Sequence, residues 1–557
     1  MPKNRSKPLA EPTIPSPERQ GERTKFTFTR NHWWLLAILI VAVYLRVSHI
    51  GLLEFKADEA NSAILAEKMA RGQSFPSVGL TYSVGVRQAP LYIYLLAPFF
   101  WFSPDPASFT IGWGLASAAA VGLCYWIGRK YFSEKVGLMA AALFAVSPWA
   151  VIYSRKIWPQ DFLPVFCTAL LWMWYEFLIQ EKRGYLLGIV LLSVAAWQVH
   201  LTATNLIALG GVLWLVCRYP LNWKRIGIAL GINLLLLLPY IGFQMRQDWE
   251  DFRRASSVVE QSNKAEVYTV QGIHPQWGFP LPGRDYFGYE LSTVSGEQID
   301  DILGLSTTDF VAQSGGGKAL IVVVKLLFVC AVVAAGVVVV RGAKASPRFP
   351  FFDLSSECRL AVLFLWVLTP VVFFGLAGLR TYLSYFSLTF PATVLLMAWV
   401  IDAGQKFFAS RGGISRVAVP ALWVVFALVV IGQFAYVHRL YGFLEEQGGA
   451  RGTYGVVYKH KVDLCRRIAA TSQTPHPIMS RDWPPKTPVE SDIEYLVSMY
   501  LEKRSWPATN PQGPQTAFVV VDTRFQPPDA PEPMPNVPSQ SFGPLRLYEV
   551  PFTPSPH

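Results

Sequence analysis

The sequence predicts an α-helical polytopic membrane protein that carries a small C-terminal α/β domain. Three observations lead there. Apolar runs of spanning length recur along the chain, and the basic residues between them sit in short loops. The apolar pattern then stops near residue 437 and gives way to a polar, Pro-rich tail. Of 557 residues, 52% are hydrophobic and only 16% charged, and the mean hydropathy is +0.30. Long windows almost free of charge must satisfy their backbone hydrogen bonds internally, as helices in lipid do. A formal net charge of +11 raises nucleic acid as a partner. The basic residues lie in loops between apolar runs, where they set topology instead, so no nucleic-acid partner is expected.

Residues 1–30 are polar and basic with no apolar h-region, which predicts a cytoplasmic tail rather than a signal peptide. Eleven spans are expected, at about 33–51, 108–128, 136–152, 162–179, 185–199, 204–217, 226–245, 319–340, 360–378, 383–401 and 417–437. The run "APLYIYLLAPFFWF" (89–102) is shorter than the ~20 residues a span needs. Loop charge decides its placement. If 89–102 crossed, every later basic loop, beginning with "RKYFSEK", would face away from the basic tail. The positive-inside rule therefore makes 89–102 a helix lying along or dipping into the outer interface. The membrane domain then covers 31–437, with extracytoplasmic loops at 52–107 and 246–318. The region 438–557 becomes an extracytoplasmic soluble domain, with a helix at "YKHKVDLCRRIAA" and strands at "AFVVVDTRF" and "LRLYEV". The expected location is the plasma (inner) membrane. Of six cysteines only Cys465 lies in the polar region, so an intramolecular disulfide there has no partner. No Cys/His cluster has zinc spacing; no cofactor is indicated, and a divalent metal stays open.

Ionisable groups concentrate on loops assigned to the outer side. Asp58 and Glu59 open a short helix that runs to Arg71, with Gly72 as its stop. One of the pair serves a helix cap; two adjacent acids leave one over for chemistry. The loop "YSRKIWPQD" carries Arg155 and Lys156 against the positive-inside bias and ends in Asp161. Such a pair suits a lipid phosphate, or an interfacial anchor, since Tyr153 and Trp158 flank it. His200 and Arg380 occupy tight outer turns. In the aromatic, Gly/Pro-rich stretch "GIHPQWGFPLPGRDYFGYE", Trp277, Arg284 and Asp285 are the expected substrate contacts, the other reading of this loop being a lid with no direct contact.

The order of a first span, Asp-Glu, a Pro-Leu-Tyr helix, "ALFAVSPWAVIYSRKIWPQD" and an outer "R-x-Y-L…P" turn resembles the GT-C membrane glycosyltransferases. It is most similar to the family 39-like enzymes, the protein O-mannosyltransferases and lipid A aminoarabinose transferases. The resemblance covers 33–220 and extends loosely to about 400. It implies a hexosyl or pentosyl transferase that takes its sugar from a polyprenyl-phosphate donor. The acceptor would be a lipid, glycan or protein hydroxyl, and the configuration would invert. By the resemblance Asp58 would be the base, Glu59 its neighbour and Asp161 the second acid. Arg155 or Lys156 and Arg380 would contact the donor phosphate; apart from the resemblance, Arg87 is a further expected phosphate contact, and His200, by its place at the outer face, an expected substrate contact. One departure stands out. Aminoarabinose transferases carry Glu-Lys-Pro-Pro-Leu before the interfacial helix; this chain reads "RQAPL", without the acid and with Arg87 displaced by one position.

A transporter or lipid flippase is the competing class. Transporters place ionisable groups near the midplane, often at matched helix breaks. Here the span interiors are nearly free of charge and Pro148, Pro239 and Pro370 show no twofold pattern. A non-catalytic scaffold would have no need of Asp58, Glu59 and Asp161.

Overall fold

The computed structural model describes residues 30–81, 85–254, 284–297, 299, 316–345, 356–377, 381–450, 454–472, 474–502, 515–526 and 533–552. Helix α1 (Arg30–Val47) leads through an extended segment to α2 (Ala57–Ala70) and α3 (Leu91–Phe102). Then come α4 (Pro106–Tyr131), α5 (Glu134–Val146), α6 (Pro148–Tyr153), α7 (Leu163–Leu178), α8 (Tyr185–Val199), α9 (Thr204–Cys217) and α10 (Trp223–Arg246). Beyond the long loop lie α11 (Arg284–Ser295), α12 (Gly317–Ala345), α13 (Ser356–Ala377), α14 (Phe390–Ala409) and α15 (Ser415–Gln447). Among the described residues, eight helical stretches are long and apolar enough to cross a membrane; α8 and α9 are apolar but shorter. The chain is a multi-pass membrane protein. On its outward faces, side chains such as Leu234, Leu235 and Leu238 of α10 are exposed, which is stable only against lipid.

Two boundaries differ from the expected ones. The span expected at 136–152 is split into α5 and α6 at Ser147-Pro148. Proline has no N–H to give the preceding turn and disfavours a helical residue before it, and Ser147 accordingly leaves the helical region at ψ 119°. The last span does not stop at 437. Helix α15 continues to Gln447 and ends on Gly448, whose φ of +67° is the left-handed stop that glycine adopts without strain. The hairpin of α4 and α5 packs backbone to backbone. A Cβ on Gly128 would lie 2.6 Å from the Gly137 Cα, so both positions need glycine for this approach.

The C-terminal region is α/β. In a four-stranded sheet, β1 (Ile478–Ser480) is parallel to β2 (Gln515–Asp522). Strand β4 (Leu545–Phe552) is antiparallel to both β2 and β3 (Ser539–Phe542), so the order is β1-β2-β4-β3. Alternation along the strands serves two faces. Phe518, Val520, Leu545 and Leu547 face helices α16 (Tyr458–Thr471) and α17 (Ser491–Leu501), whereas Val519, Tyr548 and Val550 gather around Met534. This layer sits on the segment between α1 and α4. Helix α17 packs on α2, Tyr458 donates to the Asp105 carboxylate at 2.7 Å, and Tyr495 donates to the Pro104 carbonyl at 2.6 Å.

Candidate active site

The site begins with a ribbon. After α1 the chain makes a 3-10 turn at Ile50–Leu52 and then runs extended through residues 53–56. Alternate residues of an extended ribbon share a face, so Glu54 and Lys56 come together, with Lys56 Nζ 2.5 Å from Glu54 Oε1. Helix α2 starts one residue later. Glu59, its third residue, turns back to accept the Lys56 N–H at 3.1 Å, which satisfies a donor the helix itself cannot. That capping bond buries Glu59 completely and leaves its neighbour Asp58 exposed at the mouth of the site.

The second wall is the loop after α6. Pro159–Phe162 forms a 3-10 turn in which Asp161 accepts the Trp158 N–H at 3.3 Å. The loop is locked by aromatic side chains from other elements. Trp113 of α4 donates to the Asp161 carbonyl at 3.0 Å, and its ring lies 4.1 Å from that of Phe162. Tyr92 of α3 donates to the Ile157 carbonyl at 2.5 Å and reaches Ser62 of α2 at 3.4 Å. Lys156, 4% exposed, crosses to Glu54 as a buried ion pair with its ammonium over the Trp158 ring. Three buried carboxylates, Glu54, Glu59 and Asp161, thus surround two lysines, with Asp58 as the accessible acid.

Charge in this group is crowded. Burial, reinforced by the Glu54 carboxylate, pushes the Glu59 pKa up to about 7 against the pull of Lys156 and Lys56. Glu59 Oε1 and Asp161 Oδ1 are buried with no protein hydrogen-bond partner among the described residues. A cavity of about 10 Å³, room for about one water, lies behind the group between Glu54, Arg155, Lys156, Tyr441 and Tyr454. It is far too small for a sugar, and the accessible side of the cluster is the one that carries Asp58. Among the described residues no three His, Cys, Asp or Glu side chains lie together as a metal ion would need.

The structure therefore brings Asp58, Glu59, Asp161 and Lys156 together. It uses two of the expected phosphate contacts otherwise. Arg155 is 5% exposed, and its guanidinium donates to four carbonyls at the end of α1: Leu45 at 3.2 Å, Arg46 at 3.0 Å, Ser48 at 2.6 Å and His49 at 2.9 Å. A cation there satisfies orphan carbonyls and complements the helix dipole, which explains a basic residue on this side without any phosphate. Arg46 does the reciprocal service, donating to Phe144 and Ala145 at the end of α5. Arg87 turns away toward Glu250 at 3.0 Å and Asp251 at 3.4 Å, stitching its loop to the helical turn after α10.

His200 is buried, bonds Thr202 through Nδ1 at 2.8 Å and lies against the Tyr385 ring; burial pushes its pKa down to about 3, which keeps it neutral. Arg284 and Asp285 form the first turn of α11. Arg380 and Trp277 lie outside the described residues. Three participants escaped the sequence reasoning. Glu54 and Lys56 carried a signal, the i, i+2 spacing of opposite charges in a short extended segment. Glu290 of α11 carried none. It is fully buried, accepts from Thr389 at 2.6 Å and Thr393 at 3.3 Å, and burial pushes its pKa up to about 8. Thr389 ends the turn Leu383–Thr389, whose Ser387 hydroxyl donates to the Gln160 carbonyl at 3.4 Å, next to Asp161.

No protein-family model and no curated protein matches the chain. Solved structures do. ArnT from Cupriavidus metallidurans in the apo state superposes with a TM-score of 0.53 at 12% identity, covering 94% of this chain and 98% of that one. ArnT bound to undecaprenyl phosphate gives 0.50 at 13% identity, over 93% and 98% of the two chains. The apo oligosaccharyltransferase of Archaeoglobus fulgidus gives 0.47 at 12% identity, over 87% and 65%. At such identities the likeness is one of fold. The fold is that of the GT-C polytopic membrane proteins.

Proposed function

We propose that this chain is an integral-membrane glycosyltransferase that moves a hexose or pentose from a polyprenyl-phosphate donor to an acceptor hydroxyl, at the extracytoplasmic face of the plasma membrane. One observation carries the reading. Among the acids that the first loop and the 155–161 loop bring together, one alone, Asp58, is exposed, and it stands on a GT-C fold whose ArnT counterpart was solved with undecaprenyl phosphate.

The chemistry follows from that arrangement. An acceptor hydroxyl gives its proton to Asp58 as its oxygen bonds the anomeric carbon. The bond from that carbon to the phosphate oxygen breaks, and the polyprenyl phosphate leaves with the electron pair. Attack opposite the leaving group inverts the centre. A phosphate is a good leaving group once its charge is met, so cations matter more than a general acid. Lys156 and Lys56 both pair with Glu54, but Lys156 is buried whereas Lys56 is 28% exposed and lies two residues before Asp58, so Lys56 replaces Arg155 and Arg87 as the nearer phosphate contact. Arg380, Trp277, Arg284 and Asp285 stay with the proposal as donor and acceptor contacts. Glu59 and Asp161, buried behind Asp58, set the field in which it works, and water is kept out by Tyr92, Trp113 and Phe162.

The test is turnover by detergent-purified protein with a panel of radiolabelled polyprenyl-phosphate monosaccharides, with and without membrane-lipid acceptors and with and without chelator. Wild type consumes one donor and Asp58→Asn does not. Full consumption by Asp58→Asn removes the base. Silence from wild type, with donor carried across vesicles, returns the chain to the flippase class.

A further inference from the structure

The ribbon that carries Glu54 belongs to no helix or sheet, so its backbone carbonyls must find donors elsewhere. They find them in the C-terminal domain, some four hundred residues away. The Tyr454 hydroxyl donates to the Leu52 carbonyl, the Tyr458 N–H donates to Leu53 at 3.0 Å, and Lys461 Nζ donates to Phe55 at 2.6 Å. The Leu53 and Phe55 side chains point the same way, into the apolar cluster of α16 and α17, with the Phe55 ring 5.8 Å from Tyr458 and 6.0 Å from Tyr495. Glu54 and Lys56 are thereby forced to the opposite side, toward Lys156.

Lys461 is the unusual member. Its ammonium is buried with the Asp492 carboxylate, their side chains 6% and 1% exposed. Apolar residues of similar volume would pack α16 on α17 at least as stably as a buried ion pair does. What an apolar pair could not do is give Phe55 a strong, directional donor. We infer that Lys461 is a positioning residue. Through it the C-terminal domain sets the height and rotation of the ribbon bearing Glu54 and Lys56, and with it the start of α2 that bears Asp58 and Glu59. This rests on the transferase reading for its functional consequence, but the grip itself does not.

The experiment uses the full-length chain. Lys461→Met alone strands a buried Asp492 and risks unfolding, so the working variant is Lys461→Met/Asp492→Asn; Asn keeps the acceptor that Ile493 N–H uses at 2.9 Å. Lys461→Arg, which keeps a cationic donor, is the rescue. Amide hydrogen exchange is followed by mass spectrometry over residues 53–60 and over α16. The double variant exchanges roughly tenfold faster at 53–60, the worth of one charge-assisted hydrogen bond, while α16 and the thermal transition stay put, and Lys461→Arg restores protection. In turnover, kcat falls about ten- to a hundredfold and the donor KM rises, because the acids and Lys56, the proposed phosphate contact, are displaced together, and Lys461→Arg restores both. Unchanged exchange at 53–60 in the double variant overturns the inference. A wild type with no turnover defeats the transferase reading alone, because the exchange measurement still decides whether Lys461 holds the ribbon.

Discussion

Replacing Glu59 with Gln gives a sharp measure of whether the buried acids are as crowded as the structure says. Glu59 accepts the Lys56 N–H, and a glutamine carbonyl keeps that bond while removing the titration. The sign runs one way. In the unfolded chain the carboxyl loses its proton near 4.5, whereas in the fold it holds the proton until about 7. Between those values the folded state binds more protons, so raising the pH favours unfolding. At about 1.4 kcal/mol for each pH unit of displacement, the wild type forfeits ~3 kcal/mol between pH 4.5 and 7, stability that is fully present below 4.5. Glu59→Gln forfeits none of it. Thermal unfolding in detergent, read by tryptophan fluorescence from pH 4.5 to 8, is the assay. The variant melts several degrees above wild type at pH 8, and the gap closes as the pH falls toward 4.5. A gap that does not depend on pH, or a variant that melts lower at pH 8, would refute the idea that burial and Glu54 together disfavour the Glu59 carboxylate.

Three other outcomes follow from the same geometry. Lys156→Met leaves Glu54 buried with only the half-exposed Lys56 and lowers stability by ~3–5 kcal/mol; Glu54→Gln/Lys156→Met recovers most of it, and strict additivity in the double-mutant cycle would show that the pair does not interact. Arg155→Lys cannot serve four carbonyls with one ammonium, so it lowers the melting temperature without moving the donor KM, while a raised KM at full stability would restore Arg155 as a phosphate contact. For topology, a membrane-impermeant maleimide on intact cells labels Asp463→Cys on α16 and labels Glu181→Cys, between α7 and α8, only after lysis; the reverse pattern would turn the proposed orientation over.

How much of this was legible beforehand differs from residue to residue. Each of the eleven expected spans is occupied by helix, and α2 starts and stops within a residue of its expected limits. These are local matters. A window of apolar side chains decides its own fate in lipid, and an acid at a helix start followed by glycine at its end acts through neighbours only a few residues away. Proline at 148 had the same local force, yet a count of apolar residues runs straight over it, so the break between α5 and α6 was missed although its cause is in the sequence.

The partners of charged groups were another matter. Arg155 and Lys156 are adjacent and look alike in sequence, but one is consumed by the end of α1 and the other by Glu54. That choice was made by the direction in which the turn after α6 aims successive side chains. Asp58 and Glu59 differ in the same way: the capping bond to Lys56 draws one acid inside and leaves the other at the surface. Sequence by itself determined which segments become apolar helices and where acids and bases were available, because burial of apolar surface and helix capping act over a few residues. Tertiary packing alone decided which acid stays exposed, which cation is already paired and that Lys461 reaches Phe55. In a low-dielectric interior a charge keeps only the partner that the fold brings within bonding distance, and that partner stands a hundred to four hundred residues away along the chain.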